Sequence, residues 1–580
     1  MKNLKSFINT FILINVISRN VYAKPNIVII MADDLGFNDV SFHGSSEIPT
    51  PNIDALAYNG VILNRFYTPP LCTPSRSSFM TGKYPSKIGM HEFVIPSDEP
   101  WGLPLEEKIM PEYFKEAGYK TALIGKWHLG FYKKAYTPTM RGFDSFFGYL
   151  GPYIGYYDYT LKMHDRNYSR GYDMRRNLKV NHIKQPKRYA TDLFTDEAVN
   201  LISKHDTKDP LFLVLSHLAP HAGNEFPDNP LEAPVEEIKK FDYIKDPKRR
   251  TLAAMISVMD QGIGRVVTAL NDKGIMNETI ILFYSDNGGP TEGQHSTAAS
   301  NHPLRGQKGT AYEGGCRVVA CIYSPLIKRP QRVSNDFMYV TDLLKLFTTA
   351  ASIETDDESL DSVNQWETIS EGLKSPRQEI LYNIENAVGY SAIMYDGWKL
   401  INGSENMNTN TWIGVSGFEN VNVSFRSYIK KVFESEAAKS LPKLSAVTIK
   451  EMRAAATVTC ENSEHSRDVK STTGLKLFEI INDPCEQHDL VNAYDEKVSF
   501  LVALLENHIQ NVVPSKRKLM DPNCDPAHFN YTWTWWQEVD ESTSNHSYKD
   551  TLISIAIAIS ALFVIFLLIQ GTRTKKAFQK

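Results

Sequence analysis

Two pairs of adjacent side chains with oxygen donors stand out in the sequence. Asp33 and Asp34 follow one short apolar run, and Asp286 and Asn287 follow another much later in the chain. A single Asp after a strand is usually a cap or a turn residue. Two such pairs, each followed closely by glycine, which lets neighbouring side chains converge, indicate a site for a hard cation. Oxygen ligands favour calcium or magnesium over zinc or copper.

A second candidate for chemistry lies between Pro70 and Gly82, where Cys72 and Arg76 form the pattern Cys-x-Pro-x-Arg, followed by Thr-Gly. Spacing alone favours an ordinary buried or disulfide-bonded cysteine in a turn. Another motif, GYKTALIGKWH, occupies residues 118–128. Together, and in this order, the two motifs resemble the two signatures of the sulfatases, and the resemblance covers about residues 24–530.

Within that family the chain is most similar to the arylsulfatase B (N-acetylgalactosamine-4-sulfatase) branch. The similarity lies in the segments KWHLG at 126–130, RGFD at 141–144 and DPNCDP at 521–526. That branch usually has paired cysteines in the segment that corresponds to residues 95–103, which contains none here. The departure leaves Cys524 without its usual partner.

The resemblance implies that Cys72 is oxidised to formylglycine during secretion, with a formylglycine-generating enzyme as a partner. The hydrated aldehyde carries two hydroxyls, one to attack sulfur from a divalent cation and one to expel sulfate afterwards. Carried over residue by residue, the resemblance implies one Ca²⁺ ion with the ligands Asp33, Asp34, Cys72, Asp286 and Asn287. Arg76 would hold the hydrate, and His128 would take the proton of its second hydroxyl. Lys126, His221 and Lys308 would bind the sulfate, with His221 as the acid for the leaving oxygen.

These residues require elements that deliver them to one place. Four apolar, strand-like runs each end in polar or ionisable residues, namely 27–31, 121–124, 211–215 and 280–284. Helix-like spacing lies between them at 109–117, 195–204 and 252–271. The alternation predicts an α/β fold with a large mixed, mostly parallel sheet flanked by helices, as in the alkaline-phosphatase-like sulfatase fold that the resemblance implies. Ligands bind at the carboxyl ends of such strands.

Beyond residue 354 the pattern changes to short segments at 380–383, 390–395 and 398–401, which predict a smaller antiparallel sheet. The interpretation divides the chain into a catalytic domain at 24–370 and a C-terminal α+β domain at 371–530. A stalk is predicted at 531–550.

Both ends of the chain resemble targeting segments. Residues 1–23 have the charged start, apolar run and small residues of a signal peptide. Residues 551–570 carry no charge and would span about 30 Å as a helix, and a basic tail follows at 571–580. The sequence thus predicts a secretory, single-pass type I membrane protein with a lumenal or extracellular catalytic domain. A removable lipid-anchor signal is the alternative. Six glycosylation sequons agree with that location, at Asn167, Asn277, Asn402, Asn422, Asn530 and Asn545.

The amino-acid composition argues against two classes of protein, nucleic-acid binders and disulfide scaffolds. The chain has 580 residues and a net charge of −4, which lacks the basic excess of a nucleic-acid binder. Six cysteines do not make a disulfide scaffold, although a bridge between Cys460 and Cys485 is plausible.

The sequence therefore predicts a sulfuric ester hydrolase acting on a sulfated sugar, with N-acetylgalactosamine 4-sulfate as one candidate, or on an aryl sulfate. A phosphodiesterase or phosphatase of the alkaline phosphatase superfamily is the alternative enzyme. Such an enzyme would use Ser or Thr as nucleophile, often with two metals. A membrane-held glycan-binding protein with an inactive site is the non-enzymatic alternative. An inactive site should have lost some of the polar residues named above, and none of them is missing here.

Overall fold

The computed structural model describes residues 24–163, 168–183, 188–223, 230–293, 295–355, 357–385, 389–403, 423–460 and 474–537. The predicted signal peptide, apolar segment 551–570 and basic tail all lie outside these ranges. The described strands, in chain order, are β1 Asn26–Ala32, β2 Val61–Leu63, β3 Phe66–Tyr67, β4 Lys120–Lys126, β5 Ser145–Tyr149, β6 Thr160–Leu161, β7 Gly171–Tyr172, β8 Arg175–Arg176, β9 Lys179–Val180, β10 Leu211–Ser216, β11 Thr279–Ser285, β12 Ala320–Tyr323, β13 Arg332–Ser334, β14 Met338–Tyr339, β15 Glu379–Glu385, β16 Tyr390–Tyr395, β17 Trp398–Gly403 and β18 Leu475–Glu479.

The described α-helices are α1 Pro51–Asn59, α2 Cys72–Thr81, α3 Met110–Glu116, α4 Ala190–Lys204, α5 Val235–Lys239, α6 Pro247–Asp272, α7 Glu313–Cys316, α8 Asp342–Ala350, α9 Trp366–Glu371, α10 Phe425–Glu434, α11 Glu436–Ser440, α12 Ala446–Ala456 and α13 Asp495–Gln510. The three helices predicted between the first strands correspond to α3, α4 and α6. Asp246 caps α6 by accepting hydrogen bonds from two backbone N–H groups of its first turn.

A ten-stranded sheet forms the centre of the molecule, in the order β13-β2-β12-β11-β1-β10-β4-β5-β8-β9. The run β11-β1-β10-β4-β5 is parallel throughout, whereas both flanks contain antiparallel pairs. Every residue of β1, β10 and β11 is buried, as expected for strands covered by helices on both faces. The predicted mixed, mostly parallel sheet is confirmed. The parallel run places the carboxyl ends of its strands at one edge.

A smaller sheet of four antiparallel strands, β15-β16-β17-β18, lies on the C-terminal side, and α13 packs against it. This confirms the smaller antiparallel sheet, while the domain boundary at residue 370 remains a prediction. The first residues of the predicted stalk pack against the body, since the Trp533 side chain is buried and its indole N–H donates to the Leu161 carbonyl at 3.0 Å.

A buried ion cluster joins the small sheet to the large one. The Lys399 ammonium of β17 lies 3.0 Å from a carboxylate oxygen of Glu313 in α7 and 2.8 Å from one of Glu486. All three side chains are fully buried. Cys485, next to Glu486, forms a disulfide with Cys460, which confirms the bridge considered from the sequence. The other cysteines, Cys72, Cys316, Cys321 and Cys524, are unbridged.

The structure contradicts the prediction of a single-pass membrane protein. In the ranges that it describes, no helix combines the length and the apolar character needed to cross a bilayer. The longest described helix, α6, has 26 residues, but Arg249 and Asp260 give it a charged sequence unsuited to lipid.

Two buried carboxyl groups lie where the C-terminal helices contact α1. The Tyr428 hydroxyl of α10 donates to Asp54 at 2.8 Å, and the Thr50 hydroxyl donates to the other oxygen of Asp54 at 3.0 Å. Asp260 of α6 accepts from the backbone N–H groups of Asn52 and Ile53 at the start of α1. Burial raises the pKa of both Asp54 and Asp260 to about 7.

We predict that Asp54 and Asp260 each contribute stability that is lost as the pH rises from about 4 to above 7. An unfolded Asp releases its proton near pH 3.9, so in this window each of these two carboxyls binds more protons in the folded state than in the unfolded state, and raising the pH weakens its contribution. Asp54→Asn removes one of these two titrations. Between pH 5 and pH 8 the unfolding free energy of the variant should therefore fall less than that of the wild type, by on the order of 1–3 kcal/mol.

Thermal or urea unfolding across this pH range measures the effect. Asp242→Asn serves as the control, because Asp242 is 72% exposed. An Asp54→Asn variant with the same pH slope as the wild type would contradict the assignment.

Candidate active site

The two pairs of oxygen donors meet at the carboxyl ends of β1 and β11, which are neighbours in the sheet. The Asp34 backbone N–H donates to an Asp286 carboxylate oxygen at 3.2 Å, and the Asn287 amide donates to Asp34 at 2.7 Å. Asp34 has a φ of +67°, a left-handed conformation uncommon for a residue other than glycine. This departure from strand geometry lets Asp33 and Asp34 both face the site.

Cys72 begins helix α2 and lies beside this cluster, with its sulfur 3.6 Å from an Asp33 carboxylate oxygen. Arg76 lies four residues later, on the same face of the helix. Its guanidinium donates from Nε and Nη2 to one Asp286 oxygen at 3.0 and 2.8 Å, and from Nη1 to the Ser216 hydroxyl at 2.7 Å. Arg76 therefore ties the start of α2 to the ends of β11 and β10.

The two predicted lysines each contact one of the adjacent aspartates. The Lys126 ammonium, at the end of β4, lies 2.6 Å from Asp33 and is fully buried. The Lys308 ammonium comes from the loop after β11 and lies 2.7 Å from Asp34. The imidazole Nε2 of His221 is 3.5 Å from Asp34, and its Nδ1 lies 2.6 Å from the Ala222 carbonyl.

His128 is held in a defined orientation, and its backbone carbonyl accepts from the hydroxyl of Thr73, the neighbour of Cys72, at 3.3 Å. Its Nε2 lies 3.0 Å from the Ile95 carbonyl, so Nε2 carries the proton, and Nδ1 has the lone pair. This Nδ1 is buried and has no hydrogen-bond partner among the described residues. Burial, followed by the positive charges of Lys126 and Arg76, lowers the pKa of His128 well below its usual value, so the ring is neutral and can accept a proton.

The donor atoms at the centre of the site fit a divalent cation. One ligand atom from each of Asp33, Asp34, Cys72 and His221 lies within 4.8 Å of the others. The side-chain oxygen of Asn287 is buried without a hydrogen-bond partner in the described part of the chain, as expected of an oxygen that faces an ion. His221 therefore belongs to this set of four donor residues, although the resemblance assigned it to sulfate binding. Asp286 lies beside the set, and its carboxylate accepts from Arg76.

Electrostatics distinguish the groups of the site. Although burial opposes ionisation, Lys308 and His221 hold the pKa of Asp34 well below its usual range. Burial raises the pKa of the Cys72 thiol to about 12, even with two lysines nearby. Without a cation bound to its sulfur, an unmodified Cys72 would therefore remain a neutral thiol at physiological pH and act as a poor nucleophile.

One residue of the site was not predicted from the sequence. Asn301 is fully buried; its side-chain oxygen accepts from the Gly289 N–H at 3.0 Å, and its amide donates to the carbonyls of Gly289 at 2.7 Å and Gly306 at 3.4 Å. It also accepts from the Phe37 N–H at 3.4 Å. Asn301 therefore joins the loops that carry Asp34, Asn287 and Lys308. Only the packing of these loops reveals it, because no motif or spacing marks an isolated Asn.

Comparison with known proteins agrees with this geometry. A family model described as Sulfatase matches residues 25–353. Arylsulfatase J of Mus musculus is 35% identical over 547 residues, which cover 90% of this chain and 82% of that protein. N-acetylgalactosamine-6-sulfatase of Homo sapiens is 29% identical over 374 residues, which cover 62% of this chain and 68% of that protein.

A solved structure is similar along most of the chain. The crystal structure of Ps i-CgsB in complex with k-i-k-neocarrahexaose aligns with a TM-score of 0.65 and 26% sequence identity, covering 90% of this chain and 96% of that one. The family model spans more than half of the 580 residues, which sets aside the phosphatase and non-enzymatic alternatives. The chain belongs to the sulfatase family and is a sulfuric ester hydrolase.

Proposed function

We propose that the protein hydrolyses the sulfate ester of a sugar or an aryl alcohol with a formylglycine formed from Cys72 and one calcium ion. The observation that carries the proposal is the meeting of Asp33, Asp34 and the Cys72 sulfur, with the Asn287 side chain bonded to Asp34 and three cations paired with the aspartates. Bound calcium would lower the proton affinity of an oxygen on residue 72 and polarise the sulfate group. Asp33, Asp34, Asp286, Asn287 and residue 72 would hold it.

An ordinary cysteine is unsuited to act as the nucleophile in this reaction. A thiol has a single nucleophilic atom and, once it carries the sulfate, no second hydroxyl whose deprotonation would expel it; burial also raises its pKa to about 12. Formylglycine offers two hydroxyls in its hydrated form, one for attack and one whose deprotonation releases sulfate. We therefore propose a formylglycine-generating enzyme as the partner that matures this protein.

The remaining side chains serve binding and proton transfer. Lys126, which is fully buried, and Lys308, which is partly exposed, provide positive charge for the sulfate oxygens in a region of low dielectric where such charges act strongly. Nδ1 of His128 is the base for the second hydroxyl, since its lone pair has no partner in the described ranges. His221 is the proposed acid for the leaving oxygen. Its Nδ1–H donates to the Ala222 carbonyl, so Nε2 can give a proton only when the ring is doubly protonated, a form that the Asp34 carboxylate at 3.5 Å favours against burial. Arg76 holds residue 72 and Asp286 in position.

The substrate class follows the names of similar proteins, which include arylsulfatase J and N-acetylgalactosamine-6-sulfatase. A sulfated sugar is the natural candidate, with N-acetylgalactosamine 4-sulfate and its 6-sulfate isomer as the first two compounds to compare. An aryl sulfate provides the convenient assay.

We predict that Cys72→Ala abolishes sulfate release from an aryl sulfate, because residue 72 is the only proposed nucleophile. Cys72→Ser retains one hydroxyl, which can attack sulfur and expel the alcohol, but it has no second hydroxyl to release the sulfate. That variant should accumulate a covalent sulfate on residue 72, visible by intact-mass spectrometry after incubation with substrate.

Cys321→Ala is the matched control, since Cys321 is also buried and unbridged but lies in β12. Peptide mass spectrometry across residue 72 should show the aldehyde in the wild type. An assay of the phosphate ester of the same aryl alcohol checks the reaction class. Full activity of Cys72→Ala, or turnover of the phosphate alone, would refute the proposal.

We predict that removing calcium abolishes turnover and lowers the melting temperature. The carboxylates of Asp33 and Asp34 lie close together and repel each other more strongly without the ion. Dialysis against a calcium chelator, with metal content measured by mass spectrometry, tests this. Added Ca²⁺ should restore activity, and a parallel sample with calcium-saturated chelator controls for the chelator itself. Undiminished turnover by protein shown to be free of metal would exclude a catalytic ion.

A further inference from the structure

One buried hydroxyl near the reacting centre has no assigned role. Tyr149 ends strand β5, and its side chain is fully buried. Its hydroxyl has no hydrogen-bond partner among the residues that the structure describes. A buried hydroxyl without a partner is costly, so such a group in a folded protein calls for an explanation.

The sheet register places Tyr149 at the active site. Tyr149 lies directly opposite Lys126 in the parallel pair of β5 and β4, and side chains at paired positions share one face of a sheet. The Lys126 ammonium contacts Asp33 at 2.6 Å, so this face at this strand end is the catalytic one. Phe194 of α4 stacks on the Tyr149 ring with centroids 6.1 Å apart, and thereby holds it in place.

The charges around the hydroxyl point to residue 72. Burial is the main cause of the raised pKa of Tyr149; of the smaller causes, Asp33, Asp173 and Cys72 raise it and Arg76 lowers it. The hydroxyl is therefore within electrostatic reach of Cys72, of Asp33, which contacts the Cys72 sulfur, and of Arg76 on the same helix as Cys72. Tyr284 also has an unpartnered buried hydroxyl, but the charges that affect its pKa are those of Arg76 and Asp286.

The described residues of the site include three buried polar atoms without partners: the Asn287 oxygen, the His128 Nδ1 and the Tyr149 hydroxyl. The first two fit the ion and the proton acceptance already proposed. Conversion of residue 72 replaces one sulfur by two oxygens once water has added across the aldehyde, and this creates hydrogen-bond acceptors that a thiol barely provides.

We infer that the Tyr149 hydroxyl donates a hydrogen bond to an oxygen of the converted residue 72 and thereby stabilises its hydrated form. The inference rests on the proposed function, because it requires the aldehyde. Tyr149 would hold the hydroxyls toward the ion and His128, and would make the hydrate predominate over the free aldehyde. It is a catalytic residue in the sense that it touches the reacting group.

Tyr149→Phe tests the inference, because it removes one oxygen and keeps the ring. Tyr339→Phe is the matched control, since Tyr339 is equally buried and its hydroxyl also lacks a partner in the described ranges, but it lies in β14, away from the site. Peptide mass spectrometry gives the converted fraction of residue 72 in each protein, and all rates are divided by it.

We expect kcat of Tyr149→Phe to fall at least about tenfold while KM changes little, in line with the loss of one hydrogen bond made to the reacting group. Hydroxylamine reacts with the aldehyde and not with its hydrate, so residue 72 of this variant should be labelled several times faster in the absence of substrate. The melting temperature should change little, because the converted residue 72 is the one partner proposed for this hydroxyl and no other described residue bonds to it. Tyr339→Phe should match the wild type in all three measurements.

Unchanged kcat and unchanged labelling in Tyr149→Phe would overturn the inference and leave the proposed function intact. A loss of kcat accompanied by an equal loss in stability, with unchanged labelling, would show a structural role and would also overturn it. A wild-type protein without any aldehyde at residue 72 would refute the proposed function and this inference together.

Discussion

Three carboxylates buried side by side set the main constraint on this structure. Asp33, Asp34 and Asp286 are all fully buried, and like charges at such distances cannot all ionise unless opposite charges lie among them. Each has its own cation: Lys126 on Asp33, Lys308 on Asp34 and Arg76 on Asp286. These cations come from β4, from a loop after β11 and from α2. The site can therefore form only when the parallel run of strands is assembled, and no single segment contains it.

The sequence predicted the part of this arrangement that depends on chain direction. Apolar runs buried on both faces imply parallel strands, and parallel neighbours end at the same edge, so the meeting of Asp33 with Asp286 followed from pattern alone. The resemblance pointed to Cys72 and Arg76 together, whereas the helix that Cys72 begins was not predicted from the spacing, which favoured a turn. The antiparallel sheet after residue 379 was also recognisable from short alternating segments.

Other features depended on contacts that sequence does not encode locally. Tyr149 faces the site because of its register with Lys126, and register follows from the whole sheet. Asn301 acts by bridging three loops whose approach is a property of the folded chain. The membrane assignment rested on apolar character near the C-terminus, which no described helix supports. Hydrogen-bond partners and the packing of loops were therefore the features of the structure that were hardest to predict from the sequence.

The small sheet contributes to the site through the loop that carries Lys308. The Tyr390 hydroxyl at the start of β16 donates to the Gly309 carbonyl at 3.3 Å, and Lys399 of β17 binds Glu313 a few residues further on. Glu486 completes this support, since one of its oxygens accepts from the Glu313 backbone N–H at 2.8 Å. Its neighbour Cys485 is fixed by the bridge to Cys460. An expression host must therefore meet two requirements: it must mature residue 72, and it must allow the disulfide to form. In a reducing cytosol the disulfide would not form, and the loop that carries Lys308 would be poorly supported even if residue 72 had been matured correctly.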